Sequence, residues 1–296
     1  MQAVDVLIDY LKAEEARGKS HILLDDESRE QLRELYIKAR DTVRAPAKPK
    51  AAPPATSKPA SEPAPQISTA VPASEPETPP ARIVVEGESR EERLASLRQQ
   101  AENWAPARAM DSLRDTMVFA IGNPEARLML VGEAPGYEEE RRQEPFVGPA
   151  GRKLDDILKA MGLSRETVYI SNIVKFRPAT PRQTTNNRKP TPEEMAVCLP
   201  FVMKEIEIVK PDCIIALGGT AAEGLLKLSG SVTSMREKWH AIDGIPTRVS
   251  YHPSYLLQSG SGNEVKRKLW EDMLAVMEKL GMAISEKQRS FFLPKS

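Results

Sequence analysis

Short apolar runs alternate with segments of helical periodicity along most of the chain. The apolar runs at 127–131, 167–174, 213–217 and 246–250 predict buried strands. Apolar positions at helical spacing predict helices at 151–161, 192–209, 220–228 and 264–280. Ser89 and Glu92 predict a capping box for a further helix that ends near Gln100. Strands that alternate with helices indicate a parallel sheet covered on both faces, and ligands of such sheets bind at the carboxyl ends of the strands.

The N-terminal part of the chain has a different pattern. In residues 1–44 apolar positions recur at helical spacing, which predicts a helical extension. So short a segment has little core of its own, and it is either a marginal appendage or a docking element for a protein partner or for the folded domain. Residues 45–85 hold eleven of the 25 prolines, which predicts a disordered linker. We predict a folded domain over 86–282 and a tail over 283–296.

Composition and charge narrow the class of protein. The formal net charge is zero, so a surface that binds nucleic acid has to be local. No apolar run approaches the roughly 18 residues that span a bilayer, and the N-terminus lacks the basic region of a secretory signal. We therefore expect a cytoplasmic, monomeric protein with no membrane contact. Two cysteines and three histidines form neither a disulfide framework nor a metal-ligand pattern.

Candidate chemistry lies directly after the predicted strands. The segment GEAPGYEEE (132–140) follows the first strand, NIVKFRP (172–178) ends the second, and HPSYLL (252–257) follows the last. Glycine-rich turns bind phosphate in many proteins, but the acids of the first segment would repel it, so a neutral ligand such as a nucleobase suits this loop better. Asn172 offers the donor and the acceptor that a base edge requires. A lone His252 at a strand end is as often structural as catalytic.

Together with PFVGPAG (145–151), these segments resemble, in order, the active-site motifs of the uracil-DNA glycosylase superfamily. The resemblance is to family 4, the bacterial and archaeal iron–sulfur type, and runs from about 102 to 280. It implies a three-layer α/β/α sandwich around a short central parallel sheet. It also implies a monofunctional glycosylase of base excision repair, which flips uracil out of DNA and hydrolyses its N-glycosidic bond.

The resemblance also implies roles for individual residues. Glu133 matches the glutamate that orients water or stabilises the sugar cation, and His252 matches the residue that donates to uracil O2 as negative charge develops. The remaining positions would bind the base. Ala134 would offer its backbone N–H, Glu139 would crowd C5, Phe146 would stack on the ring and Asn172 would bind the polar edge.

A basic stretch that begins within NIVKFRP and continues after it suggests contacts with the DNA backbone. It contains Lys175, Arg177, Arg182, Arg188 and Lys189, and the alternative is a solvated, mobile loop. Ser254 is a further expected DNA contact. Leu256 or Leu257 could fill the space that the extruded base leaves, although this pair could equally belong to the core. Residues 179–190 contain no histidine, which argues against covalent trapping of the kind that one relative performs through a histidine.

One departure from family 4 concerns its iron–sulfur cluster. Four cysteines hold the cluster in that family, and the corresponding positions here are Trp104, Ala107, Phe176 and Cys198. One thiolate cannot hold a four-iron cluster. We therefore expect no cluster and no other cofactor, with Trp104 and Phe176 filling its place.

Two other functions remain open from the sequence. The first is a glycosylase with a shifted base preference, for instance towards hypoxanthine. The second is a non-catalytic DNA-binding scaffold that uses residues 1–44 to recruit a partner. Glu133, Phe146, Asn172 and His252 together argue against the scaffold, because a scaffold does not need that set.

Overall fold

The computed structural model describes residues 83–258 and 262–293. These residues belong to the compact unit Ser74–Ser296. The predicted extension over 1–44 and all but the last residues of the predicted linker lie outside the described residues. No helix of 83–258 or 262–293 is long and apolar enough to cross a membrane.

The central sheet has six strands, and the four inner ones are parallel. In spatial order they are β2 (Ile121–Gly122), β4 (Tyr169–Asn172), β3 (Leu128–Gly132), β6 (Cys213–Leu217), β8 (Ile245–Ser250) and β7 (Trp239–Ile242). The two edge strands, β2 and β7, run antiparallel to their neighbours. A separate antiparallel pair joins β1 (Leu113–Met117) to β5 (Phe176–Pro178).

The helices of the described residues comprise the five that the sequence pattern predicts and four shorter ones that it does not. They are α1 (Arg90–Glu102), α2 (Ala105–Arg108), α3 (Tyr137–Arg142), α4 (Pro149–Met161), α5 (Pro192–Val209), α6 (Gly219–Leu226), α7 (Val232–Met235), α8 (Asn263–Lys279) and α9 (Glu286–Arg289), with a 3₁₀ helix at Pro253–Leu257. The capping box of Ser89 and Glu92 begins α1, as predicted.

Alternate residues of β3 pack on opposite faces of the sheet. Met129 and Val131 belong to an apolar cluster that includes residues of α1, α5 and α6. Leu128 and Leu130 belong to a second cluster with residues of α4 and α8. Because side chains alternate along a strand, this division defines three layers, and the predicted α/β/α sandwich is confirmed, with antiparallel edges added to its parallel sheet.

The predicted domain boundaries are too narrow at both ends. Ile83 and Val85, assigned to the linker, pack against the first cluster. In the segment expected as a tail, the main-chain carbonyl of Gln288 accepts a hydrogen bond of 2.6 Å from the Trp270 indole, and the Phe291 ring lies 5.3 Å from that of Trp270. The described residues up to 293 therefore belong to the folded domain.

A buried carboxylate fastens α8 to β8 below the strand ends. Asp272 accepts hydrogen bonds from Arg236 Nε at 2.9 Å, Arg248 Nε at 3.0 Å and Ser250 Oγ at 2.9 Å. The side chains of Arg236 and Asp272 are fully buried. If one partner of such a buried ion pair is removed, the charge of the other partner stays buried with no opposite charge to compensate for it.

We therefore expect Asp272→Asn to lower the free energy of unfolding by about 3–5 kcal/mol. The matched control is Asp212→Asn, which removes an exposed pair with Arg127 and should cost less than about 1 kcal/mol. Guanidinium unfolding of both variants measures the difference. Equal costs would contradict the structural role of Asp272.

Candidate active site

A cavity of about 300 Å³ opens at the carboxyl ends of the parallel strands. It contains all six residues predicted for catalysis and base binding. Its lining comprises Glu133, Ala134, Pro135, Gly136, Glu139, Phe146, Ala150, Asn172, Asn187, Arg188, Gly218, Gly219, His252 and Ser254. The cavity therefore lies where the strand-end rule places the ligands of α/β sheets.

Gly132, the last residue of β3, lies where two cavity side chains meet. A Cβ at this position would lie 2.4 Å from Asn172 Oδ1 and 2.4 Å from Phe146 Cζ, closer than real atoms approach. Phe146 is 5 % exposed and has a positive φ of 56°. Its ring lies 5.6 Å from that of His252, at an interplanar angle of 31°. The missing side chain at Gly132 thus permits a flat aromatic wall beside an amide.

Glu139 connects the first two motifs through its carboxylate. Its Oε2 accepts the backbone N–H of Gly136 at 3.2 Å, and its Oε1 accepts that of Gly148 at 2.8 Å. A Cβ at Gly136 would lie 2.7 Å from Oε2. Both carboxylate oxygens are therefore held by main-chain donors, and the side chain is a fixed part of the cavity wall.

The hydrogen bonds of His252 define its tautomer. Its Nδ1 accepts the backbone N–H of Ser254 at 3.2 Å and lies 2.7 Å from Ser254 Oγ. Because a backbone N–H can only donate, Nδ1 is unprotonated and the neutral ring carries its proton on Nε2. Burial lowers the pKa of His252 to about 4. At neutral pH the ring is an uncharged donor at the cavity wall.

Glu133 follows β3 directly and contacts a residue that the sequence motifs do not include. Its Oε2 accepts a hydrogen bond of 2.6 Å from Thr220 Oγ1. Burial raises the pKa of Glu133, and the hydrogen bond from Thr220 and the charge of Lys189 oppose that increase. Asn187 and the Gly218–Gly219 turn are further cavity residues that the motifs missed.

The family model of the uracil-DNA glycosylase superfamily matches residues 119–274, which include this entire cavity. The chain belongs to this superfamily. Over 163 residues it is 42 % identical to the Type-4 uracil-DNA glycosylase of Thermotoga maritima, and this aligned region covers 54 % of this chain and 81 % of the relative. It is 33 % identical over 183 residues to the Archaeoglobus fulgidus Type-4 uracil-DNA glycosylase, or 59 % and 85 % of the two chains. The resemblance to family 4 is thereby confirmed.

Two of the basic residues predicted to contact DNA are buried in this superfamily member. Lys175 is 1 % exposed, with Nζ 2.7 Å from Glu205 Oε1 and 2.6 Å from Ser171 Oγ. Arg177, also 1 % exposed, pairs with Glu140 at 2.9 Å and donates to Asn187 Oδ1. Both cations are paired with carboxylates and covered, so the prediction of phosphate contacts was wrong for these two residues.

The other three basic residues lie nearer to the surface. Arg188 lines the cavity, and its guanidinium lies 2.6 Å from Glu194. Lys189 is exposed and pairs with Glu223 at 2.8 Å. Arg182 is exposed. Their contact with DNA stays a prediction, as does that of Ser254, which is exposed at the cavity rim.

The 3₁₀ helix places both candidates for the apolar wedge at the surface. Leu256 is half-buried and packs against the second apolar cluster, and its neighbour Leu257 is 45 % exposed. The role of either leucine as the wedge stays a prediction.

The positions of the family 4 cluster ligands lie in an apolar part of the core. Ala107, Phe176 and Cys198 belong to the first cluster, and Trp104 packs against it, with its ring 5.1 Å from that of Phe201. Burial raises the pKa of the Cys198 thiol to about 11. The only other cysteine, Cys213, belongs to the opposite cluster. These residues do not fit a [4Fe–4S] group, which needs four thiolates.

We expect the imidazole of His252 to titrate near pH 4, because burial disfavours its charged form. Long-range ¹H–¹⁵N spectra recorded from neutral to acid pH should show an unprotonated Nδ1 and a protonated Nε2. Ser254→Ala keeps the backbone donor and serves as a control for the tautomer. A midpoint near the ordinary histidine value of about 6.5 would contradict the assignment.

Proposed function

We propose that this chain is a monofunctional uracil-DNA glycosylase that hydrolyses the N-glycosidic bond of uracil flipped out of DNA. The observation that carries the proposal is the set of Glu133, Phe146, Asn172 and His252 around one cavity at the strand ends. The Type-4 relatives support the substrate class. Base excision repair in the cytoplasm, at the nucleoid, is the corresponding cellular role.

The polar groups of the cavity suit an extruded uracil. Phe146 provides a flat apolar face for stacking, and the amide of Asn172 can both donate and accept at the polar edge of the base. The Ala134 side chain is small, which leaves its backbone N–H accessible as a further donor. Glu139, fixed by two main-chain donors, would crowd a methyl group at C5 and so disfavour thymine.

The chemistry requires opposite charges to be stabilised on either side of the breaking bond. As the C1′–N1 bond breaks, its electron pair goes to uracil and C1′ becomes an oxocarbenium-like cation. The Nε2–H of neutral His252 donates to O2, where negative charge grows. The Glu133 carboxylate stabilises the cation and accepts a proton from the water that attacks C1′. The uracil anion then takes up a proton from solvent and Glu133 releases its proton to solvent, so that the products are free uracil and an abasic site.

The full-length protein should release uracil from an oligonucleotide that contains a single uracil, and alkali should then cut the abasic site. Glu133→Gln and His252→Ala should each slow single-turnover excision by about 10²–10³-fold, because each removes a group that acts on developing charge. DNA binding should be retained in both variants.

His240→Ala is the matched control, since His240 bonds to the main-chain carbonyl of Met235 outside the cavity. It should excise uracil at the rate of the unmodified protein. Excision that persists unchanged in both cavity variants would refute the roles of Glu133 and His252. DNA binding without any excision of uracil would refute the function, and a panel with hypoxanthine would then test a shifted base preference.

We further propose that the chain contains no iron–sulfur cluster. The support is the set of side chains at the four ligand positions of family 4. One is the buried thiol of Cys198, and the other three, those of Trp104, Ala107 and Phe176, cannot bind iron. The whole sequence contains only two cysteines. Protein purified without oxygen should contain far less than one iron per chain and show no broad visible absorbance. A ferredoxin prepared in parallel controls for loss of iron during purification. About four irons per chain in this protein would overturn the proposal.

A further inference from the structure

The turn between β6 and α6 contacts both catalytic candidates, although it belongs to none of the four motifs. Gly218 has a φ of 94°, and a Cβ there would lie 3.1 Å from the Cβ of His252. Two residues later, Thr220 Oγ1 lies 2.6 Å from Glu133 Oε2. Since β6 pairs with β3 in parallel, the end of β6 reaches the same edge of the sheet as Glu133.

Thr220 is buried and its hydroxyl is directed at the carboxylate. The residue is 4 % exposed, so water does not compete freely for the hydrogen bond. A hydroxyl donor at one carboxylate oxygen fixes the rotation of the carboxyl group and leaves the other oxygen for the substrate side. A hydrogen bond to a charged group in a low-dielectric site is stronger than one in water.

We propose that Thr220 is a positioning residue that orients the Glu133 carboxylate and favours its ionised form during glycosidic bond cleavage. This inference rests on the proposed function. Thr220 itself touches neither water nor sugar in the reaction, and acts through Glu133.

Other titratable or charged groups around Glu133 come from four segments of the chain. Glu139 of α3, Arg188 of the loop before α5 and His252 after β8 line the same cavity. Lys189, next to Arg188, acts on Glu133 through its charge and pairs with Glu223 of α6. Lys189 lowers the pKa of Glu133, as Thr220 does, and burial raises it. Loss of the Thr220 hydroxyl removes one of the two opposing effects, so the pKa of Glu133 should rise.

The test compares Thr220→Val with Thr220→Ser in the full-length protein. Thr220→Val should slow single-turnover uracil excision roughly 10- to 100-fold, the range for a lost hydrogen bond to a charged group. It should also move the acid limb of the pH–rate profile to higher pH, because the Glu133 carboxyl would protonate more readily. Thr220→Ser keeps the hydroxyl and should retain both the rate and the profile.

A double-mutant cycle separates positioning from a general structural effect. With Glu133→Gln already in place, Thr220→Val should change the residual rate by less than about twofold. Thr247→Val is the matched control, because Thr247 is a fully buried threonine of β8 that bonds to the main-chain carbonyl of Ile245. It should leave rate and profile unchanged. If valine disturbs the turn in a melting experiment, Thr220→Ala repeats the comparison without the added bulk.

An unchanged rate and acid limb in Thr220→Val would overturn the inference, as would equal slowing by Thr220→Val with and without the Glu133→Gln substitution. The ¹³C carboxyl titration of Glu133 gives a readout that is independent of activity. If the unmodified protein excises no uracil, the proposed function fails, and a higher Glu133 pKa in Thr220→Val would still support the contact. An unchanged Glu133 pKa in that variant would overturn it.

Discussion

The space left by the missing side chain of Gly132 is where the ring of Phe146 and the amide of Asn172 meet. Three separate elements converge there, namely the end of β3, the loop before α4 and the end of β4. Hydrogen bonds from the backbone N–H of Ile173 to the Gly132 carbonyl and from that of Val174 to the Glu133 carbonyl fix the NIVKFRP segment against the GEAPGYEEE segment. Any Cβ at position 132 would separate the stacking wall from the amide, so the rest of the cavity depends on this glycine.

Around this point the protein sets the charge states of its two catalytic candidates in different ways. His252 is kept neutral by burial, with its tautomer fixed by the backbone of Ser254. Glu133 is half-buried, and the hydroxyl of Thr220 and the nearby ammonium of Lys189 oppose the effect of that burial on its pKa. A neutral hydrogen-bond donor and a carboxylate can therefore coexist in one small cavity. When a glycosidic bond dissociates, such a donor stabilises the negative charge on the leaving base and the carboxylate stabilises the positive charge on the sugar.

The sequence predicted the inner strands, the principal helices and the edge of the sheet where the cavity lies, because buried apolar runs and helical periodicity are strong local signals. It missed β2 and β7 because edge strands are short and of mixed polarity. The ion pairs could not be predicted from the sequence either. Lys175 and Arg177 belong to a stretch without acids, and their partners Glu205 and Glu140 lie 30 and 37 residues away. Thr220 was missed for the same reason, since its contact with Glu133 spans 87 residues.

The NIVKFRP segment contains both a cavity residue and a position at which this chain departs from family 4. Asn172 at its start lines the cavity, and Phe176, four residues later, occupies a position that holds a cluster cysteine in family 4. Between them Lys175 is tied to Glu205 of α5 and to Ser171, the neighbour of Asn172. The strand end is thus held by its ladder with β3, by a buried ion pair and by aromatic packing. These contacts fix the segment without a thiolate at position 176, so the side chains of the described residues are themselves sufficient to hold the amide of Asn172 at the cavity wall.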